Sequence, residues 1–320
     1  KVEAVSRVAG DVAARIGANR DLARRAAELS KADLQSRLVN EFPELQGVAG
    51  RYYALHDKSL LDLSEQDRAA VAAAIEESYL PRFAGDSIAP STLGKALAIA
   101  DRLVTLRTAF DAGQKPTGGK DPYALRRAAL GLGRTMLEAD VERESGRQAG
   151  DVFDFVLERM RGYYTDLGYS PQQIEAVFAL KDEIETLRDL DRRLSAVREF
   201  ATLPEADALA AANKRIRNIL KKVEGPIPDA IDPSLLEAGA ERELADAVDQ
   251  ALSDTDDALA RRDYVAVLGR LARLRPQVDA FFDRVMVNVD DPAVRNNRLA
   301  LLQRLADRLG SVAAIEHLSS

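Results

Sequence analysis

The 320-residue chain has no cysteine, which removes disulfides, thiolate nucleophiles and zinc–thiolate sites together. Tryptophan is absent as well and aromatic residues make up only 5%, so any core must be built from Leu, Ala and Val. Ala and Leu propagate helices, whereas β-branched and aromatic residues mark strands. The expected fold class is therefore all-α. With two histidines, His56 and His317, a multi-His metal site is excluded. No apolar run approaches the roughly 20 residues that a membrane span needs. A starting Met is also missing, and Lys1 leads straight into an amphipathic pattern (Val2, Val5, Val8, Val12) with no apolar signal core. The expectation is a fragment or processed chain from a cytoplasmic protein with no membrane partner.

What is present is the composition of a globular protein, with 46% apolar and 30% charged residues. The length favours two domains over one helical core. Net charge is −7, which argues against a polyanion partner until its distribution is considered. From Ala208 to Val223 there are five cations (Lys214, Arg215, Arg217, Lys221 and Lys222) and no acid. From Gln114 to Arg134 there are five more (Lys115, Lys120, Arg126, Arg127 and Arg134) against Asp121 alone. Acids crowd between Glu241 and Asp257. Basic patches segregated in this way can hold a polyanion locally on an acidic protein.

Apolar residues recur at helical period in three clear stripes. Leu93, Leu97, Ala100 and Val104, with Leu103, Leu106 and Phe110, make one. Tyr264, Val267, Leu268, Leu271 and Leu274 make the second, and Leu299, Leu302, Leu305, Leu309 and Val312 the third. Pro276 should end the second, with the pattern resuming at Val278, Phe281, Phe282 and Val285. Asp121-Pro122 and Asp291-Pro292 each place an N-cap before proline at the first helical position. Ser170 with Gln173 reads as a capping box, and Ser64 with Asp67 as a weaker version. Two stretches punctuate the helices, the polar loop Gln114–Lys120 and the proline-rich run from Gly225 to Pro233. The expected division is a helical domain over residues 1–134 and a second over 135–320.

Candidate sites are few. His56-Asp57 could ligate a divalent metal, but further His and Asp ligands would be required to hold the ion and orient a water, and only His317 remains. A surface loop is the better reading there. The glycines and lysines of Gln114–Lys120, followed by a helix N-terminus, could cradle a phosphate or form an ordinary solvated loop; the P-loop spacing is absent. Of Arg126 and Arg127, one should face solvent and the other an adjoining element, and structural ion pairing is the alternative to phosphate contact. Residues 211–220 give the best basic helix. Lys214, Arg217 and Lys221 recur at helical spacing, and Ile216, Ile219 and Leu220 face inward. Arg284, Asn288, Arg295, Asn297 and Arg298 gather around Asp290-Asp291-Pro292. Arg and Asn read base edges and phosphates, and they also cap turns. No catalytic residue is expected, because no His stands beside a Ser and no carboxylate pair is singled out.

Several segments together resemble the β subunit of bacterial glycyl-tRNA synthetase. They are Glu41–Gly47, Arg51–Ala54, Pro81–Asp86, Gly113–Gly118 with Asp121–Ala129, Ala212–Ile216, and Phe281–Val287 with Asp290-Asp291. The resemblance runs the length of the chain and implies a degenerate HD-like helical domain followed by a helical-bundle anticodon-binding domain similar to that of arginyl-tRNA synthetase. It implies glycine tRNA and the α subunit as partners, with no DNA partner. No cofactor is implied on this chain, since ATP and magnesium are used by the α subunit, which performs the glycylation. Lys214, Arg215, Arg217, Asn218, Lys221, Arg284, Asn288 and Arg295 would meet the anticodon stem-loop. Lys115, Lys120, Arg126 and Arg127 would meet phosphates elsewhere on the tRNA. In the HD-like domain, Leu29–Leu34 stands where a metal-binding His-Asp pair would lie, and Ala98–Arg102 resembles the helix of the last metal-binding Asp. One ligand of four, Asp101, survives, so the fold is implied without its metal. The family usually has Cys where Ser30 stands, a departure of little consequence for binding. The rivals are a metal-dependent HD phosphohydrolase and a helical scaffold that binds only protein.

Overall fold

A computed structural model describes residues 1–60, 62–116, 121, 123–141 and 151–319. Among them there is no strand, and the all-α expectation holds. The chain divides into two compact units, Lys1–Tyr163 and Tyr164–Ser320. The boundary lies beyond the Arg134 expected from sequence, because residues after Arg134 complete the first unit. Within that unit Phe155 meets Phe110 at 5.3 Å between ring centroids, and Gly133 lets Met160 approach so closely that a Cβ would sit 2.7 Å from its sulfur.

Unit 1 contains α1 (Val2–Arg15), α2 (Arg20–Leu29), the short α3 (Arg37–Glu41), α4 (Val48–His56), α5 (Glu65–Glu77), α6 (Thr92–Asp111) and α7 (Leu125–Glu138). It ends within α8 (Asp151–Asp166). α6 is its axis: α1, α2, α5 and α7 all pack on it. The stripe read from sequence explains why, since Leu93, Leu97, Ala100, Val104 and Leu106 are all buried. Small residues at Gly94, Ala96 and Ala98 let neighbours close in on the remaining faces.

Unit 2 contains α9 (Pro171–Phe178), α10 (Leu187–Phe200), α11 (Ala206–Leu220), α12 (Ala240–Ala260), α13 (Tyr264–Ala272), α14 (Arg275–Arg284) and α15 (Pro292–Gly310). α10 packs on α9 and α13; α12 packs on α13, α14 and α15; α11 packs on α14 and α15. Every residue of the two stripes expected here is buried. Pro276 breaks the helix as its ring requires, separating α13 from α14.

The start signals are mostly as expected. The Asp291 carboxylate accepts from the Ala293 and Val294 amides at 2.8 and 3.3 Å. Ser170 and Gln173 form both halves of a capping box. The exception is Asp121. α7 starts at Leu125, not at Pro122, because Ala124 takes a left-handed conformation (φ +52°). Asp121 still caps, from further back, accepting from the Leu125 and Arg126 amides at 2.8 and 2.9 Å. Pro122 itself lies outside the described residues. No described helix is long and apolar enough to cross a membrane.

Candidate nucleic-acid interface

α11 carries two chemically distinct faces. Leu209, Ala210, Asn213 and Ile216 are buried, and Arg217, Ile219 and Leu220 are half-buried. Positions 213, 216, 217 and 220 form one helical stripe, so Arg217 belongs to the core-facing side. Its guanidinium donates to the Ala306 carbonyl on α15 at 2.7 Å and approaches Asp307 at 3.8 Å. The expected basic row Lys214–Arg217–Lys221 is therefore rotated in the structure. The outward row is Lys214, Asn218 and Lys222, with Arg215 beside it.

That outward row forms one wall of a cleft of about 790 Å³, and Asn288 and the start of α15, Arg295 and Asn296, supply the rest of its polar lining. Four cations line it, Lys214, Arg215, Lys222 and Arg295, against the single acid Glu224. Lys214, Arg215, Asn218, Asn288 and Arg295, singled out in two separate parts of the sequence, thus meet in one place. Lys221 and Arg284 are exposed but do not line the cleft. Lys222 and Asn296 do, and neither was among the expected contacts. Lys222 follows Lys214 and Asn218 at four-residue steps, a signal that the phase of the buried residues would have supplied.

The walls are held by contacts that leave the polar heads accessible. Arg215 lies over the Phe282 ring at 4.2 Å, and Arg295 donates to the Val289 carbonyl at 2.9 Å. Asn213, fully buried, donates to Glu316 at 2.8 Å and fixes α11 against the C-terminal turn. Asn297 clamps the proline-rich run, accepting from the Asp232 amide at 2.7 Å and donating to its carbonyl at 3.1 Å. Of the two Asn residues read as possible turn caps, Asn297 plays that part and Asn288 faces the cleft. Arg298 is 2% exposed and donates to Glu241 at 2.8 and 3.0 Å and to the Met286 carbonyl at 2.8 Å. It is an internal strut, and it anchors the turn that presents Asn288.

The expected unit 1 contacts are less open. Lys115 is tied to Asp151 and lies 5.4 Å from the Phe110 ring centroid. Lys120, with most of the proposed phosphate cradle, lies outside the described residues. Arg126 is half-buried and Arg127 exposed, the division expected of neighbours on a helix. Arg134 is buried, donating to the Ala84 carbonyl at 2.6 Å and to Glu138 at 3.0 Å.

Lys31 and Asp101, from the two segments said to correspond to metal-binding positions, do meet: Nζ lies 3.3 Å from the carboxylate and 3.6 Å from the Tyr79 ring centroid. Burial pulls the Lys31 ammonium below the usual lysine range, opposed by Asp101. Asp33 is 1% exposed and accepts from the Gly47 and Gly50 amides at 2.6 and 3.2 Å, so it serves as a backbone clamp. His56 ends α4 on the surface, and among the described residues no group of His, Cys, Asp and Glu could hold a metal.

Residues 1–179 match the family model for the glycyl-tRNA synthetase beta subunit. The chain belongs to that family. Residues 209–315, which include the whole lining of the unit 2 cleft, match the DALR anticodon binding domain. Curated relatives are named glycine–tRNA ligase beta subunit. The chain is 57% identical over 343 residues to that of Xanthomonas campestris pv. campestris strain 8004 and 46% identical over 367 residues to that of Xylella fastidiosa strain 9a5c. With Janthinobacterium sp. strain Marseille the identity is 44% over 335 residues. All three alignments cover 100% of this chain but only 46–49% of the relative, so the chain spans about half the length of the relatives it matches.

Proposed function

We propose that this chain is a tRNA-binding, non-catalytic portion of a heteromeric glycine–tRNA ligase, and that the anticodon stem-loop enters the unit 2 cleft. The holoenzyme would use ATP and magnesium at the α subunit, and glycine tRNA and that subunit would be the partners. The observation that carries the reading is the convergence of Lys214, Arg215, Lys222 and Arg295 with Asn218, Asn288 and Asn296 on one open cleft. The cations supply charge for phosphates, while the Asn amides each offer a donor and an acceptor to an unstacked base. The DALR family match over the same residues supports the same assignment. Lys115, Arg126 and Arg127 remain candidates for phosphates elsewhere on the tRNA; Lys115 and Arg127 are exposed and Arg126 is half-buried.

Charge reversal at Lys214 and Arg215 together tests the assignment. Both side chains are exposed, so the fold should survive while tRNA affinity falls at least tenfold. A filter-binding assay that shows unchanged affinity would remove the cleft from tRNA recognition. The same assay on duplex DNA should show only weak, salt-sensitive association.

A further inference from the structure

Unit 1 has its own cleft, of about 580 Å³, formed where α6 and the start of α7 meet the turns at 44–46 and 78–82. Its lining divides into spent and unspent charge, and the unspent charge is two arginines, Arg82 and Arg127, against one exposed acid, Glu44. Lys31 is committed to Asp101, and Arg102 donates to the carbonyls of Ser78, Tyr79 and Pro81, each at 3.2 Å. Arg82 and Arg127 are exposed, and among the described residues neither guanidinium has a carboxylate partner. Tyr123 lines the same cleft with 58% of its surface open. Gln46 adds an amide to the same lining.

We propose that this cleft binds one unpaired nucleotide, with its phosphate at Arg82 and Arg127 and its base stacked on Tyr123. Two uncommitted guanidiniums suit the planar, bidentate geometry of phosphate oxygens. An exposed tyrosine ring has a π-face on which any base can stack, and the Gln46 amide can pair with a base edge. The volume falls within the range of small-ligand sites. An acidic peptide would use the arginines but leaves the aromatic ring without a role. The inference rests on the reading of the chain as RNA-binding, and it adds a site separate in sequence and chemistry from the unit 2 cleft.

The test uses the full chain and two labelled RNA hairpins that differ only in a short unpaired 3′ overhang. The overhang should tighten binding about tenfold, in line with one added base stack and phosphate. Tyr123→Ala and Arg127→Glu should each remove that advantage, and Tyr123→Phe should retain it. Lys214→Glu with Arg215→Glu should weaken both hairpins alike and leave their ratio unchanged, so failure of the unit 2 assignment stays distinguishable. Competition by free cytidine or adenosine monophosphate that erases the advantage would show that the site also takes a free nucleotide. Equal binding of both hairpins, an advantage that survives Tyr123→Ala and Arg127→Glu, or equal competition by a poly-glutamate peptide would overturn the proposal.

Discussion

Arg298 is among the largest fully buried side chains of the described residues, and two acids meet its charge: Glu241 is 1% exposed and Glu237 adds a contact at 2.9 Å. Removing one member strands the other in a low-dielectric core. Arg298→Ala should therefore lower stability by about 3–5 kcal/mol in urea unfolding. Arg298→Met combined with Glu241→Leu should recover most of that loss. A second buried cluster gives a pH signature. Tyr264 donates to Asp189 at 2.6 Å, and burial followed by this hydrogen bond pushes its hydroxyl up to about 12. The folded state then keeps a proton that the unfolded chain releases near pH 10. Tyr264 thus contributes stability that is complete below pH about 10 and is lost as pH rises towards 12. Thermal melts of the native protein should show that loss, and Tyr264→Phe should flatten it. Neither cluster was legible in the sequence. Arg298 and Asn297 stood among the candidate base readers because residue type alone does not reveal burial. Arg298 lies on the buried stripe of α15, one position before Leu299.

At the scale of elements, α11 separates binding from stability along one helix. Arg217→Ala should lower stability by roughly 1–3 kcal/mol through a lost charged hydrogen bond to Ala306 and leave RNA affinity largely intact. Lys214→Ala should do the reverse, weakening RNA binding without moving the melting transition. Equal effects of the two substitutions on both measurements would contradict the assignment of faces. Helix positions and most caps were legible because they follow local rules: a serine or aspartate oxygen, a proline ring, a 3.6-residue period. What failed was phase and path. Lys214–Arg217–Lys221 fits helical spacing as well as Lys214–Asn218–Lys222, and only the burial of Asn213 and Ile216 decides between them. At α7, the left-handed turn at Ala124 has no sequence signal comparable to a glycine, so the start moved to Leu125.

For the whole molecule, sequence distance conceals the cleft and chemistry discloses it. Its two walls lie some 70 residues apart, between Lys214 and Asn288, and each had been picked out as an acid-poor run or an Arg/Asn cluster. Folding α11 against α14 and α15 brings them together. The end of unit 1 could not be placed from sequence, because the packing of Phe155 on Phe110 joins segments on either side of the expected boundary. In unit 1, the Lys31–Asp101 pair brings together the two segments that resemble metal-binding positions. If the cleft of unit 2 holds phosphates with about four cations, affinity for tRNA should fall roughly 100-fold between about 50 and 200 mM salt.

The most direct measurement is that salt titration carried out on glycine tRNA and on a transcript altered only in its anticodon. The account predicts steep salt dependence for both and weaker binding of the altered transcript at every salt concentration. Equal binding of the two would contradict anticodon recognition on this chain, and a flat salt profile would contradict RNA binding through the cationic cleft altogether.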